Sequence, residues 1–159
     1  MEVRYTDDEI AALIAEAKPL PADFASRARL QPKRGYEESE TAVTGGLGNE
    51  FCLVMRQSTG NVLDFSVILG VLCPGSNQVF RLRRYNGRSH EHTNAIERER
   101  FYDFHIHMAT QRYQEHGDRE DAYAERCSRF ADLAGALACL LNDCGFEVPP
   151  KHQLPLFEA

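Results

Sequence analysis

The sequence lacks the features that mark several large classes of protein. No apolar run approaches the roughly 18 to 20 residues of a membrane-spanning helix. The opening segment MEVRYTDDEI has no basic region followed by an apolar one, so we expect neither a membrane protein nor a signal peptide. The five cysteines are an odd number without a Cys-x-x-Cys pair. This usage predicts reduced core thiols in a cytoplasmic protein.

The common catalytic and nucleotide-binding motifs are also missing. There is no glycine-rich phosphate loop ending in lysine and no Gly-x-Ser-x-Gly. The glycine-rich segment TGGLGNE (44–50) precedes a predicted strand instead of opening a helix, so it is not a dinucleotide fingerprint. Any catalytic groups must therefore come from a different kind of pattern.

An overall positive charge is absent as well. The net charge of −6 argues against a protein that coats nucleic acid generally. Residues 81–100 depart from this balance, because six arginines against three glutamates give that stretch +3 and leave −9 for the remainder. A basic stretch on an acidic protein suits local capture of a nucleic-acid strand, which makes RNA a candidate partner.

The first third of the chain predicts one helix followed by a loop. With 159 residues, 43% of them hydrophobic, the chain fits a single soluble domain. Thr6 and Glu9 form a capping-box pattern at the start of a helix over 6–17. The charged, glycine-containing segment that follows predicts a mobile loop, so residues 1–49 are expected to be a helix plus this loop.

Alternating apolar residues predict four antiparallel strands within residues 50–113. In the third predicted strand, Phe80 and Leu82 are expected to face inward, and Arg81, Arg83 and Tyr85 outward. The four predicted strands span 50–57, 62–73, 79–87 and 103–110.

The C-terminal part predicts a long helix over residues 118–145, with Asp118 as its N-cap and Gly145 as its stop. Prolines predict an extended tail over 146–159. The expected fold is therefore α+β: an N-terminal helix, an antiparallel sheet of about four strands, and a long C-terminal helix packed on one sheet face. The chain, 1–159, is expected to form one domain.

Residues 87–110 contain four of the six histidines as two His-x-His pairs: His90 with His92, and His105 with His107. In the fourth predicted strand, Ile106 takes the apolar face together with its alternate neighbours. His105 and His107 therefore project together from the other face, because side chains alternate along a strand.

One interpretation of this cluster is a metal site. Imidazoles spaced i, i+2 on a strand can converge on one ion, and imidazole suits zinc and other divalent transition metals. Carboxylates of Glu91, Glu97 or Asp103 could orient the rings, whereas the nearby arginines would repel a dication. The metal ligands would be His90, His92, His105 and His107.

The leading interpretation is acid/base cleavage of RNA without any cofactor. Histidine titrates near neutrality, so one ring can take a proton and another can supply one, while arginines stabilise the anionic transition state. The catalytic candidates are His90, His92, His105, His107 and Tyr85. The phosphate-binding candidates are Arg81, Arg83, Arg84 and Arg88.

Two further interpretations stay open. The histidines could be solvated loop residues and hydrogen-bonded sheet residues, beside arginine–glutamate pairs that contribute little. The chain could also be a non-catalytic module whose acidic surface and strand edges bind a protein partner. The sequence does not determine an oligomeric state.

Three motifs carry a resemblance to known families: Arg84-Tyr85-Asn86-Gly87, His90-x-His92-x-Asn94 and His105-Ile106-His107. The stretch over 79–113 resembles an uncharacterised family of small proteins from prokaryotic mobile elements. It is more distantly similar to TumE-type toxins of toxin–antitoxin systems. The resemblance implies a bacterial or phage accessory protein, toxin-like in character, whose protein partner would be an antitoxin or a defence component. The leading hypothesis is an endoribonuclease-like toxin.

Overall fold

A computed structural model describes residues 2–149. The helices are α1 (Asp7–Ala15), α2 (Phe24–Arg27), α3 (Gln111–His116) and α4 (Leu133–Asp143). The strands are β1 (Lys18–Pro19), β2 (Gln31–Pro32), β3 (Tyr36–Thr44), β4 (Glu50–Ser58), β5 (Phe65–Leu72), β6 (Val79–Asn86), β7 (His92–Asn94), β8 (Glu99–Phe101), β9 (His105–Met108), β10 (Tyr123–Arg126) and β11 (Phe146–Glu147). The α+β class is confirmed. None of these helices has the length and apolar character needed to span a bilayer.

The predicted first helix is confirmed as α1. The Thr6 hydroxyl accepts a hydrogen bond from the backbone N–H of Glu9, and the Glu9 carboxylate accepts one from the N–H of Thr6. This reciprocal capping satisfies two backbone donors that the first turn cannot pair internally. The apolar face of α1 lies in the core of the protein.

The main sheet has seven antiparallel strands rather than four, in the order β10-β9-β6-β5-β4-β3-β2. The prediction of a mobile loop before residue 50 was wrong, because this segment contains β3, which pairs with β4 along its whole length. In β3, Ser39, Thr41 and Val43 face inward between exposed residues. Two of these inward positions are polar, so the hydrophobic alternation that identifies a strand is weak there.

The predicted helix over 118–145 was also wrong. Residues 123–126 form β10, which pairs with β9 at the sheet edge. Helix α4 starts only after Asp132, whose carboxylate accepts a hydrogen bond from the Gly135 N–H at 2.8 Å. The predicted stop is confirmed, since Gly145 follows the helix with a φ of 76°, a conformation that favours glycine. Helix α4 packs on β5 and β6, as expected for the C-terminal helix.

A β-bulge in β6 changes which side chains face the core. Leu69 pairs with Arg83 but the next residue, Gly70, pairs with Arg81, so Leu82 is an extra residue in β6. After the bulge, the side chains that a strict alternation would place on one face of the sheet therefore lie on the other face. Tyr85 and Arg83 consequently lie on the core side, and the prediction that both face outward was wrong.

The remaining short strands form two small sheets. Strand β11 pairs with β1 in parallel, and β7 pairs with β8 as a hairpin. The predicted extended tail begins in this region with β11, and its part from residue 150 onward lies outside the described residues.

Candidate metal centre

The register of β9 places His105 and His107 on one face of the sheet. His105 lies opposite Asn86 on β6, and His107 lies opposite Arg84. Residues directly opposite each other in antiparallel strands share a face, and Ile106 between the two histidines lies in the core. The prediction that both rings project away from the core is therefore confirmed.

This face is covered at the histidines, although the sequence predicted an outer face. His105 is 0% exposed and His107 is 5% exposed, because the β7–β8 hairpin lies over them. The His92 ring on this hairpin stacks on the His105 ring with centroids 5.4 Å apart, and its centroid lies 4.9 Å from that of His107. The Phe101 ring packs against both His92 and His105.

The hairpin thus assembles a cluster of three imidazoles. One potential ligand atom from each of His92, His105 and His107 lies within 4.8 Å of the others. Nitrogens bound tetrahedrally to zinc at about 2.1 Å stand about 3.4 Å apart. The three rings would therefore have to move closer together to hold a zinc ion tetrahedrally.

Hydrogen bonds orient the two strand histidines. Nδ1 of His105 lies 2.7 Å from the carbonyl oxygen of Asp103, and Nδ1 of His107 lies 2.8 Å from that of Asp121. A carbonyl only accepts, so both Nδ1 atoms are donors and both Nε2 atoms keep their lone pairs. In the part of the chain that the structure describes, the buried Nε2 of His105 has no hydrogen-bond partner. This is the arrangement of metal-binding histidines, whose second nitrogen donates to a backbone carbonyl or carboxylate.

Asn94 orients the third histidine. Its Nδ2 donates to the carbonyl of Ala124 at 2.8 Å, and its Oδ1 accepts from the Ala124 N–H at 2.9 Å. These contacts fix which end of the amide is oxygen, so His92 Nε2, 2.6 Å from that oxygen, is a donor. In a neutral His92 ring with Nε2 as the donor, Nδ1 is the nitrogen that carries the lone pair. Sequence reasoning missed this role, although Asn94 occupies the alternate position after His92.

The strand histidines are neutral at physiological pH. Burial lowers the pKa of His105 to about 4. Burial, reinforced by the Arg84 guanidinium, lowers the pKa of His107 to about 2. The positive charge of Arg84 is paired, since its Nε lies 3.0 Å from the buried Asp121 carboxylate. This ion pair reduces the repulsion of a dication that the sequence suggested.

Other predicted site residues lie outside this cluster. His90 is exposed, with its ring centroid 6.2 Å from that of His105. Tyr85 lies on the opposite face, where its hydroxyl donates to Asp143 at 2.5 Å. Glu97 accepts hydrogen bonds from Tyr113 and Arg112 at the hairpin tip instead of contacting a histidine.

The four predicted phosphate-binding arginines do not converge. Arg83 contacts Tyr85 on the core side of the sheet, whereas Arg84 pairs with Asp121 on the histidine side. Arg81 comes before the bulge in β6, in the half of the strand away from Asn86, the residue that lies opposite His105. Arg88 stacks on the exposed Tyr102, with the guanidinium carbon 5.7 Å from the ring centroid.

The three motifs that carry the family resemblance meet at this centre. Arg84 and Asn86 lie opposite the two strand histidines, and the segment with His92 and Asn94 covers them. The resemblance itself stays a prediction. No protein-family model, curated protein or solved structure matches the chain.

Proposed function

We propose that the protein binds one divalent transition metal, preferably zinc, through His92, His105 and His107. The observation that carries this proposal is the buried Nε2 of His105, which has no hydrogen-bond partner among residues 2–149 and belongs to a cluster with two further imidazoles. Native proteins rarely leave a buried polar atom unpaired. A metal ion would satisfy this lone pair and those of the two neighbouring rings at once.

Within residues 2–149 three histidines converge, and such a set favours a catalytic centre over a purely structural one. Structural zinc sites have four protein ligands, whereas catalytic sites have three and keep one position open. A metal in such a site lowers the pKa of a bound water to about 7, which supports hydrolysis. Exposed His90 lies at the edge of the cluster, with its ring centroid 6.2 Å from that of His105.

Metal-free cleavage of RNA by the same histidines stays a prediction, but the burial of His105 and His107 supports it less well. A general acid must be protonated near the working pH. Burial lowers the pKa values of His105 and His107 far below neutrality, so neither ring is charged there. Neutral imidazoles are what a metal ion requires, which favours the metal-binding alternative.

The proposal is tested by measuring metal content in protein purified without a polyhistidine tag. We expect about one equivalent of zinc or another transition metal, and zinc should raise the melting temperature of chelator-treated protein. His105→Gln should abolish both effects. His116→Gln is the matched control, because His116 is exposed and lies on α3, outside the cluster.

Circular dichroism of each variant shows whether its fold is retained. Less than a tenth of an equivalent of metal, together with no thermal shift on adding zinc, would overturn the proposal. An equal loss of metal in the His116 control would overturn it as well.

A further inference from the structure

Several chain segments converge at the end of the sheet where His105 lies. Asn86 is the last residue of β6, His105 the first of β9 and Arg126 the last of β10, and these three lie side by side. The chain leaving β6, the chain entering β9 and the chain leaving β10 therefore meet at one rim. Because opposed residues share a face, Arg126 lies on the same face as His105.

Two arginines with little anionic pairing occupy this rim. The Arg126 guanidinium lies 5.2 Å from the Phe101 ring, which packs against His105. Its contact with the exposed Asp103 carboxylate is long, at 3.6 Å. Arg88 is exposed, and its guanidinium lies over the Tyr102 ring. Within residues 2–149, no carboxylate oxygen lies within 4.0 Å of the Arg88 side-chain nitrogens.

The neighbouring groups at the rim complete its chemistry. His90 follows Arg88 by two positions, and its ring packs against that of His105. Tyr102 is 49% exposed and offers an aromatic face together with a hydroxyl. The acidic side chains nearest to these residues in the chain are Glu91, Glu99, Asp103 and Glu125, of which Asp103 is half-exposed and the others are exposed.

We infer that this rim binds the phosphate group of a phosphate ester and presents it to the histidine centre, a role that rests on the proposed metal site. Guanidinium groups match phosphate oxygens with paired donors. Outside residues 81–100 the chain carries a net charge of −9, so as a whole it does not attract phosphates. The exposed ring of Tyr102 suits an ester that contains an aromatic base, as a nucleotide does.

The reaction that follows from this placement is hydrolysis of the ester. The oxygen of a water molecule forms a bond to phosphorus, and the bond from phosphorus to the ester oxygen breaks. A proton from that water is transferred to the departing oxygen. The step involves no change of oxidation state and needs no co-reactant besides water.

Binding is measured with two probes, adenosine monophosphate and a fluorescent single-stranded oligouridylate, in both zinc-loaded and chelated protein. Arg88→Gln and Arg126→Gln should each weaken binding about tenfold, the loss of one charge-assisted hydrogen bond. Arg34→Gln is the matched control, since Arg34 is exposed in the β2–β3 connection at the far edge of the sheet. Tighter binding of the oligonucleotide identifies a nucleic-acid strand as the source of the phosphate; equal binding identifies a mononucleotide.

The two proposals fail in distinguishable ways. Metal content is measured in the same samples, and the rim variants should keep the full equivalent. If the rim variants keep their metal but bind both probes as tightly as the Arg34 control, the proposal that the rim binds phosphate is wrong and the metal-centre proposal is retained. If no metal binds while the arginine variants still bind the probes more weakly than the wild type does, phosphate binding at the rim is supported and the metal-centre proposal is wrong. If the wild-type protein binds neither probe, the proposal that the rim binds phosphate is wrong.

Discussion

Asn94 binds both backbone polar groups of Ala124 through the two ends of its side-chain amide, at 2.8 and 2.9 Å. The same side-chain oxygen accepts the Nε2–H of His92. One buried side chain therefore attaches the β7–β8 hairpin to β10 and sets the orientation of a proposed metal ligand. The stability of the hairpin and the geometry of the centre are coupled through this residue.

Replacing Asn94 with alanine should affect both properties. The change leaves the buried N–H and C=O of Ala124 unpaired, which should lower the free energy of unfolding by about 2 to 4 kcal/mol. It also frees the His92 ring, so metal affinity should fall about 10- to 100-fold. Urea denaturation and competitive zinc titration measure the two effects.

Asn77→Ala provides the control, because Asn77 is exposed in the connection between β5 and β6. It should leave both quantities unchanged. If Asn94→Ala lowers stability but leaves zinc affinity at the wild-type value, then Asn94 does not orient a ligand.

Parts of the fold follow from local sequence patterns. The capping box at Thr6 sets the start of α1 because its hydrogen bonds involve only near neighbours. The shared face of His105 and His107 follows from the apolar Ile106 between them, since alternation is a property of any strand. Both predictions depend on contacts that a short window of sequence contains.

Other parts depend on partners distant in the chain. The bulge at Leu82 arises from pairing with β5, and no residue pattern in β6 identifies it. Strand β10 exists because β9 offers an unpaired edge, while the spacing of Tyr123 and Cys127 also fits a helix. The hairpin that buries the histidines is short and largely polar, so sequence periodicity predicts an exposed site where the structure has a covered one.

The stability of the metal-free protein should depend on pH through the buried histidines. Below pH about 6.5 the unfolded chain binds protons on these rings. The folded protein does not protonate His105 until pH about 4, and His107 until pH about 2. Unfolding therefore takes up protons, and the free energy of unfolding falls as pH drops from about 6.5 toward 4.

Each of the two rings contributes a slope of up to about 1.4 kcal/mol per pH unit in this window. Urea denaturation of chelator-treated protein at a series of pH values measures the total. His105→Gln removes one of these rings, so its curve should be shallower than that of the wild type between pH about 6.5 and 4. Parallel curves for the two proteins would show that His105 is not held neutral by the fold.

The structure brings three histidines together as potential metal ligands, whereas the sequence suggested four. His90 is exposed and lies outside the group of converging ligand atoms. His90→Ala should therefore change zinc affinity by less than about threefold, whereas His92→Ala, which removes one of three ligands, should lower it by about 100-fold or more. Competition with a chromophoric chelator measures both affinities.

Cobalt substitution provides an independent measurement of the same point. The visible absorption bands of bound cobalt report the number and type of its ligands, so they should be unchanged in His90→Ala and altered in His92→Ala. His116→Ala is the surface control for both experiments. Equal losses of affinity and equal spectral changes in the His90 and His92 variants would instead indicate that His90 moves in to complete a four-histidine site, because its ring already lies 6.2 Å from that of His105.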